Sequence, residues 1–169
     1  MSDLLKFQRF LEQMIGHPDG TYIAAELSPD SQRLLDTYVT GMNVPNAADP
    51  GQYHSTVIYS RKGVPEAREY HFELPFKAKI KEWKIFDTKF GESGKCLVAI
   101  MDSPELEKAH KEIRDKYGAT HDYPDYHPHV TISYDYPNEL PTEIPDMELE
   151  YDYVDIKPLN PQFVPDKKD

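Results

Sequence analysis

The strongest constraint in this 169-residue chain is an order of parts that occurs twice. A β-rich run, a Ser-Pro helix start and a second β-rich run containing histidine appear at 21–60 and again at 95–134. The first copy reads TYIAAEL, then Ser28-Pro29-Asp30, then YHSTVIYS at 53–60. The second reads KCLVAIM at 95–101, then Ser103-Pro104-Glu105, then HVTISY at 129–134. Serine caps the free N–H groups of a helix start, and proline fits its first turn because no N–H is needed there. Two similar units about 75 residues apart predict a pair of half-domains rather than a short-repeat array.

The remaining segments fit that frame. Leu4, Leu5, Phe7, Leu11, Met14 and Ile15 recur near helical spacing, so 3–15 is expected to be an amphipathic helix, ended by the turn residues GHPDG. Further strands are expected at 69–74, at 76–87 and at 148–157, the last with a possible change of register. The expected fold is α+β: a bilobal, pseudo-symmetric arrangement of two mostly antiparallel sheets, flanked by helices, with a central cleft. The chain is taken as one domain over 1–169, with half-domains at roughly 21–94 and 95–157 and a polar tail at 158–169.

Composition limits the function. A chain of this length buries roughly 70% of its unfolded surface and needs no metal or disulfide to fold. The single Cys96 cannot form an internal disulfide and fits a reducing, cytoplasmic compartment. No apolar run approaches the ~20 residues of a spanning helix, and no membrane association is expected. With 19 basic and 30 acidic side chains the net charge is −11, which argues against binding long nucleic acid. The charge is uneven: 1–53 carries −4, 54–100 carries +3 and 101–169 carries −10. Lys77, Lys79 and Lys81 alternate with Ala78 and Ile80, as on the solvated face of a strand.

Two segments carry chemistry: His54-Ser55-Thr56 and His129-Val130-Thr131, each within a predicted strand and followed by β-branched residues. Residues i and i+2 of a strand share a face, so each histidine stands beside its threonine. Two imidazoles can act as general base and general acid on opposite sides of a phosphorus. Two hydroxyls can hold its non-bridging oxygens in line. Such a reaction needs no metal or other cofactor.

Paired His-x-[Ser/Thr] motifs on two symmetric lobes resemble the two-histidine (2H) phosphoesterases. Within that superfamily the chain looks most like the phage anti-CBASS nucleases. The likeness runs through LLKFQRFLEQM, TYIAAELSPDS, HSTVIYSRKG, the Cys96-Leu97-Val98 strand and YGATHDYPDYHPHVTISYDY, and covers most of 4–136. It implies metal-independent cleavage of 3′–5′ linkages in cyclic di- and trinucleotide messengers, which counters bacterial CBASS defence in the host cytoplasm. It implies catalysis by His54, Thr56, His129 and Thr131. It also implies nucleobase contacts from Tyr22 and from Phe163 in the tail. Alternatives are a 2′,5′- or 2′,3′-cyclic RNA phosphodiesterase and a non-catalytic nucleotide sponge.

Other chemistry-bearing residues have plainer readings. His121, Asp122, Asp125, His127 and His129 crowd one region, but Pro128 interrupts them, no Cys joins them and no metal site is expected. His17, His71 and His110 read as surface or ordinary packing residues, Trp83 as core or edge packing, and Cys96 as buried and inert. The acidic run from Glu139 to Asp155 reads as a solvated face.

Overall fold

The computed structural model describes residues 20–89 and 91–159; the expected helix at 3–15 and Phe163 lie outside them. The elements in order are β1 (Thr21–Leu27), α1 (Pro29–Gly41), β2 (His54–Ser60), β3 (Phe76–Asp87), β4 (Lys95–Asp102), α2 (Pro104–Tyr117), β5 (His129–Ser133) and β6 (Glu148–Pro158). Short 3₁₀ turns at Pro50–Gln52 and Pro65–Glu69 lie in the connections.

Both helices begin as their sequence dictates. Ser28 Oγ accepts the Ser31 N–H at 3.2 Å and Ser103 Oγ accepts the Leu106 N–H at 3.2 Å, with Pro29 and Pro104 in the first turns. Helix α2 ends at Gly118 with φ of 72°, a left-handed cap that suits glycine. Each helix buries one stripe, Leu35 and Val39 on α1 and Leu106, Ala109 and Ile113 on α2. The expected strand at 69–74 is instead a 3₁₀ turn and loop. Proline at 75 cannot donate to a ladder, and Tyr70 packs on Phe72, which packs on Phe76, at ring distances of 4.8 and 6.4 Å.

The α+β class stands, and the sheets form one continuous surface. All six strands join in the order β2-β1-β6-β3-β4-β5, and every pair is antiparallel. Strand β6 makes the join, pairing with β1 along most of its length and with β3 at its N-terminal end. Its register shifts opposite Glu26/Leu27, the change foreseen in the sequence. The order has approximate twofold symmetry about the β6/β3 seam: β2 corresponds to β5, β1 to β4, and β6 to β3. Sheet neighbours therefore cross the 94/95 boundary, since β3 lies with β4-β5 and β6 with β1-β2.

The two outer strands, β2 and β5, touch each other. A six-stranded sheet can do this only by curling back on itself, as twist allows. Ser55 Oγ on β2 clasps the contact: it donates to the His129 carbonyl at 2.8 Å and accepts from the Tyr151 hydroxyl at 2.6 Å. Ser55 and Tyr151 are fully buried. The two His-x-Thr segments meet because they are the edges of one curled sheet.

The core runs beneath both halves, through Ile23, Leu27, Ile58, Leu97, Ile132 and Leu149. Trp83 belongs to it, 4% exposed, with its indole N–H on the Glu143 carbonyl at 2.6 Å. Cys96 is buried in β4. Lys77 and Lys79 face out and reach Glu148 at 3.7 Å and Asp146 at 3.4 Å.

Candidate active site

On β2, His54, Thr56 and Tyr59 are half-buried, while Ser55, Val57, Ile58 and Ser60 are buried. A perfect alternation would turn Ile58, not Tyr59, to the face of His54 and Thr56. The ladder explains the change: Ile58 pairs with Ile23 and Thr56 with Ala24, so Val57 is an extra residue, a β-bulge. The same device occurs on β5. There Ser133 pairs with Leu97 and Thr131 with Val98, which leaves Ile132 as the extra residue. Each bulge directly follows its motif's threonine. Tyr59 and Tyr134, both five residues after the motif histidine, are therefore equivalent positions.

The two imidazoles are held in the same way. His54 Nδ1 lies 2.7 Å from the Gln52 carbonyl, and His129 Nδ1 lies 3.1 Å from the His127 carbonyl. A carbonyl only accepts, so Nδ1 carries the proton in both rings and the lone pair of the neutral ring is on Nε2. The same bond serves the imidazolium, which also has a proton on Nδ1. Each ring can gain or lose its Nε2 proton without losing its anchor.

The motifs differ in what lies opposite. Glu26 on β1 is the ladder partner of His54, whereas Ile100 on β4 is the partner of His129. The Glu26 carboxyl is held above the usual carboxylate range, first by burial and then by Asp155, with His54 opposing the shift. His129 instead meets the ring of Phe86 edge-to-face at 5.2 Å. The threonines differ too. Thr56 is partly exposed and its hydroxyl lies 3.2 Å from the Tyr22 hydroxyl, while Thr131 is 6% exposed.

A cleft of about 500 Å³ joins the two motifs through Thr56 and His129. Its walls add Tyr59, Arg61, Lys81, Lys84, Phe86 and residues 121–127. Among the described residues, His54, Tyr22 and Thr131 are not part of these walls. His54 and Tyr22 adjoin Thr56 on the same strand face or through its hydroxyl, and Thr131 is two residues along β5 from His129. Arg61 lies 5.9 Å above the Tyr59 ring and forks onto the Asp122 carboxylate at 2.9–3.2 Å. Three cations of 54–100, Arg61, Lys81 and Lys84, line this cleft together with the carboxylates Glu82, Asp122 and Asp125. A second hollow, of about 580 Å³ at the start of α1, is lined by Asp30, Glu148, Glu150 and Asp152, and its charge repels phosphate.

Two side chains that brace β2 have no assigned role in the sequence, where Tyr126 is one of four tyrosines flanking the second motif, some of them expected to line the pocket. His110, read there as a surface or ordinary packing residue, is 5% exposed and donates from Nδ1 to the Val57 carbonyl at 2.7 Å. Tyr126 donates its hydroxyl to the Thr56 carbonyl at 2.7 Å. A helix histidine carries no local signal of such a contact, and the tyrosine's only signal is its place beside the second motif. Arg61 had a weak signal, as a cation seven residues after His54. No group of three or more His, Cys, Asp or Glu suited to a metal ion occurs among the described residues. No described helix is long and apolar enough to cross a membrane.

Comparison with known proteins gives the family and the fold's relatives. Residues 19–164 match the profile of a family described as Anti-CBASS protein Acb1. A relative of that name from Vibrio phage KVP40 is 35% identical over 133 residues, 78% of this chain and 80% of that protein. One from Enterobacteria phage T4 is 36% identical over 116 residues, 68% of this chain and 72% of that protein. Among solved structures, a phosphoesterase aligns with TM-score 0.55 at 12% identity, covering 83% of this chain and 87% of its own. TT0787 of Thermus thermophilus aligns with TM-score 0.54 at 14% identity, covering 81% and 86%. These two share the fold. The chain belongs to the Anti-CBASS protein Acb1 family.

Proposed function

We propose that this protein is an anti-CBASS phosphodiesterase that cuts 3′–5′ linkages of cyclic di- and trinucleotide messengers by two-histidine acid–base catalysis. The observation that carries the reading is the matched anchoring of His54 and His129. Both donate Nδ1–H to the carbonyl two residues upstream, on two strand edges clasped by Ser55. This supports a pair of imidazoles that offer Nε2 to a common substrate.

The steps follow from that pairing. One neutral imidazole takes the proton of a ribose 2′-hydroxyl through Nε2, and the oxygen attacks the adjacent phosphorus. The other imidazole, protonated, gives its Nε2 proton to the departing 5′ oxygen. The product is an opened chain ending in a 2′,3′-cyclic phosphate or its hydrolysis product. Thr56 and Thr131 hold the non-bridging oxygens, and Lys81 and Lys84 offer their ammonium groups to the phosphates. Proton transfers by such a pair contribute about 10²–10⁴-fold each. Imidazoles and hydroxyls supply all of these roles, so the reaction needs no metal ion. Tyr22, touching Thr56, and Phe163 in the tail are the proposed base contacts.

Net charge acts as a filter on substrate size. A long RNA would meet the acid concentrated after residue 100, while a cyclic di- or trinucleotide meets only the cleft, where Arg61, Lys81 and Lys84 balance Glu82, Asp122 and Asp125. The test is a substrate panel in which cyclic diadenylate, cyclic triadenylate and linear oligoadenylates with 3′–5′ or 2′–5′ linkages compete for the protein. Preferential opening of the cyclic compounds is expected. Faster cleavage of linear 2′–5′ chains would replace the reading with an RNA-processing one.

A further inference from the structure

The bulge after Thr131 and the bulge after Thr56 are held by different means. On β5 the carbonyl of the bulged residue, Ile132, accepts the Ala48 backbone N–H at 2.7 Å. On β2 the carbonyl of the bulged residue, Val57, accepts from a side chain, His110 Nδ1, at 2.7 Å. The Thr56 carbonyl next to it accepts from the Tyr126 hydroxyl, also at 2.7 Å. His110 comes from α2, and Tyr126 from the loop between α2 and β5. Their rings are stacked, with centroids 3.9 Å apart and planes 4° from parallel, and His121 packs edge-on against His110 at 4.6 Å.

This construction has a cost. His110 Nε2 is buried and makes no hydrogen bond. A buried polar atom without a partner is destabilising, and a leucine would fill much of the space without one. Histidine adds what leucine lacks, a donor fixed in the plane of the stack and aimed at the bulge. Burial keeps the ring neutral, with its pKa lowered to about 4. Burial also raises the Tyr126 hydroxyl well above the usual tyrosine range, so it remains a donor.

We propose that His110 and Tyr126 are positioning residues that lock the β2 bulge and thereby aim the Thr56 hydroxyl at the substrate phosphate. This rests on the reading that Thr56 holds the phosphate. The direction of a threonine side chain at a bulge follows from the local backbone, because the extra residue sets the twist. Two side-chain donors on consecutive carbonyls fix that backbone, and Tyr22 touches the resulting hydroxyl at 3.2 Å. Small errors in placing a phosphate-binding group lower kcat more than they raise KM.

The test is a double-mutant cycle with cyclic diadenylate as substrate. Tyr126→Phe keeps the ring stack and removes one hydroxyl. We expect it to lower kcat about tenfold with KM within about twofold. In a Thr56→Ala background the same change should cost less than about twofold, because the group it positions is gone; in Thr131→Ala it should again cost about tenfold. His110→Asn, which keeps a donor near the Nδ1 position, should retain more activity than His110→Leu. An equal loss in both threonine backgrounds, no loss from Tyr126→Phe alone, or His110→Leu outperforming His110→Asn would each overturn the proposal. Thr56→Ala with wild-type kcat is a separate result, which removes the phosphate-holding role itself.

Discussion

The first and second His-x-Thr motifs are the same construction built from different materials. Both have a histidine anchored on the carbonyl two residues upstream, a threonine on the same face, then a bulge. Around the second motif, the partners among the described residues include Ile100 opposite His129, Phe86 against its ring, and the Ala48 amide on the bulge. Around the first they are polar side chains: Glu26 opposite His54, Tyr22 on Thr56, and His110 with Tyr126 on the bulge. Symmetry fixes where the proposed catalytic groups stand, and the surroundings set how each half responds to pH and substitution.

The largest effect should fall equally on both halves. His54→Ala and His129→Ala should each lower kcat about 10³-fold, because neither proton transfer can be skipped. A loss confined to one histidine would break the equivalence, and steady-state kinetics with cyclic diadenylate measures it.

A smaller and unequal effect is expected at the clasp. Ser55 corresponds to Val130 in the second motif and satisfies two buried groups, the His129 carbonyl and the Tyr151 hydroxyl. Ser55→Ala should cost about 2–3 kcal/mol in urea denaturation, whereas Val130→Thr, nearly the same size, tests the other half by adding a hydroxyl where no clasp exists. If Ser55→Ala leaves the urea midpoint unchanged, the strand edges are held by other contacts.

How the two halves respond to acid should also differ. His110 has a folded pKa of about 4 against an ordinary 6.5, so the unfolded chain takes up a proton first as pH falls. Its contribution to stability is complete above about pH 6.5 and is lost progressively toward pH 4. Between pH 7 and pH 5 this amounts to about 1–2 kcal/mol. Thermal denaturation at both pH values should show a smaller difference for His110→Asn than for the unmodified protein. Equal differences would mean His110 is not buried neutral.

The smallest effect should come from Glu26. Its raised carboxyl pKa means that the ionised form is disfavoured by folding, a penalty absent at low pH and felt as pH rises through the folded value. Glu26→Gln should therefore raise Tm slightly at pH 7 and leave it unchanged near pH 4. Destabilisation at pH 7 would show that the carboxylate supports the fold.

What could be read in the sequence follows the range of the interactions. The Ser-Pro helix starts, strands β1–β6 and the paired motifs rest on neighbouring residues, and all are present. The joining of two sheets into one depends on β6 pairing with β1 across more than 120 residues, which no local pattern records. The bulges at Val57 and Ile132 are also silent, since neither involves glycine or proline. His110 lies 53 residues from the carbonyl it binds. In sequence it is one more polar residue on a helix; its contact with Val57 exists only once α2 packs on β2. The expected strand at 69–74 failed for the opposite reason, as aromatic residues taken for a ladder pack on each other.

The central claim is that two imidazoles, with no metal ion, open a cyclic nucleotide. The most direct measurement is the mass of the product after incubation with cyclic diadenylate in EDTA, followed by heat denaturation of the protein. The account predicts linear products ending in a 2′,3′-cyclic phosphate or its hydrolysed form, and none from the His54→Ala, His129→Ala double variant. Cyclic diadenylate recovered intact from the unmodified protein would contradict it and indicate a sponge.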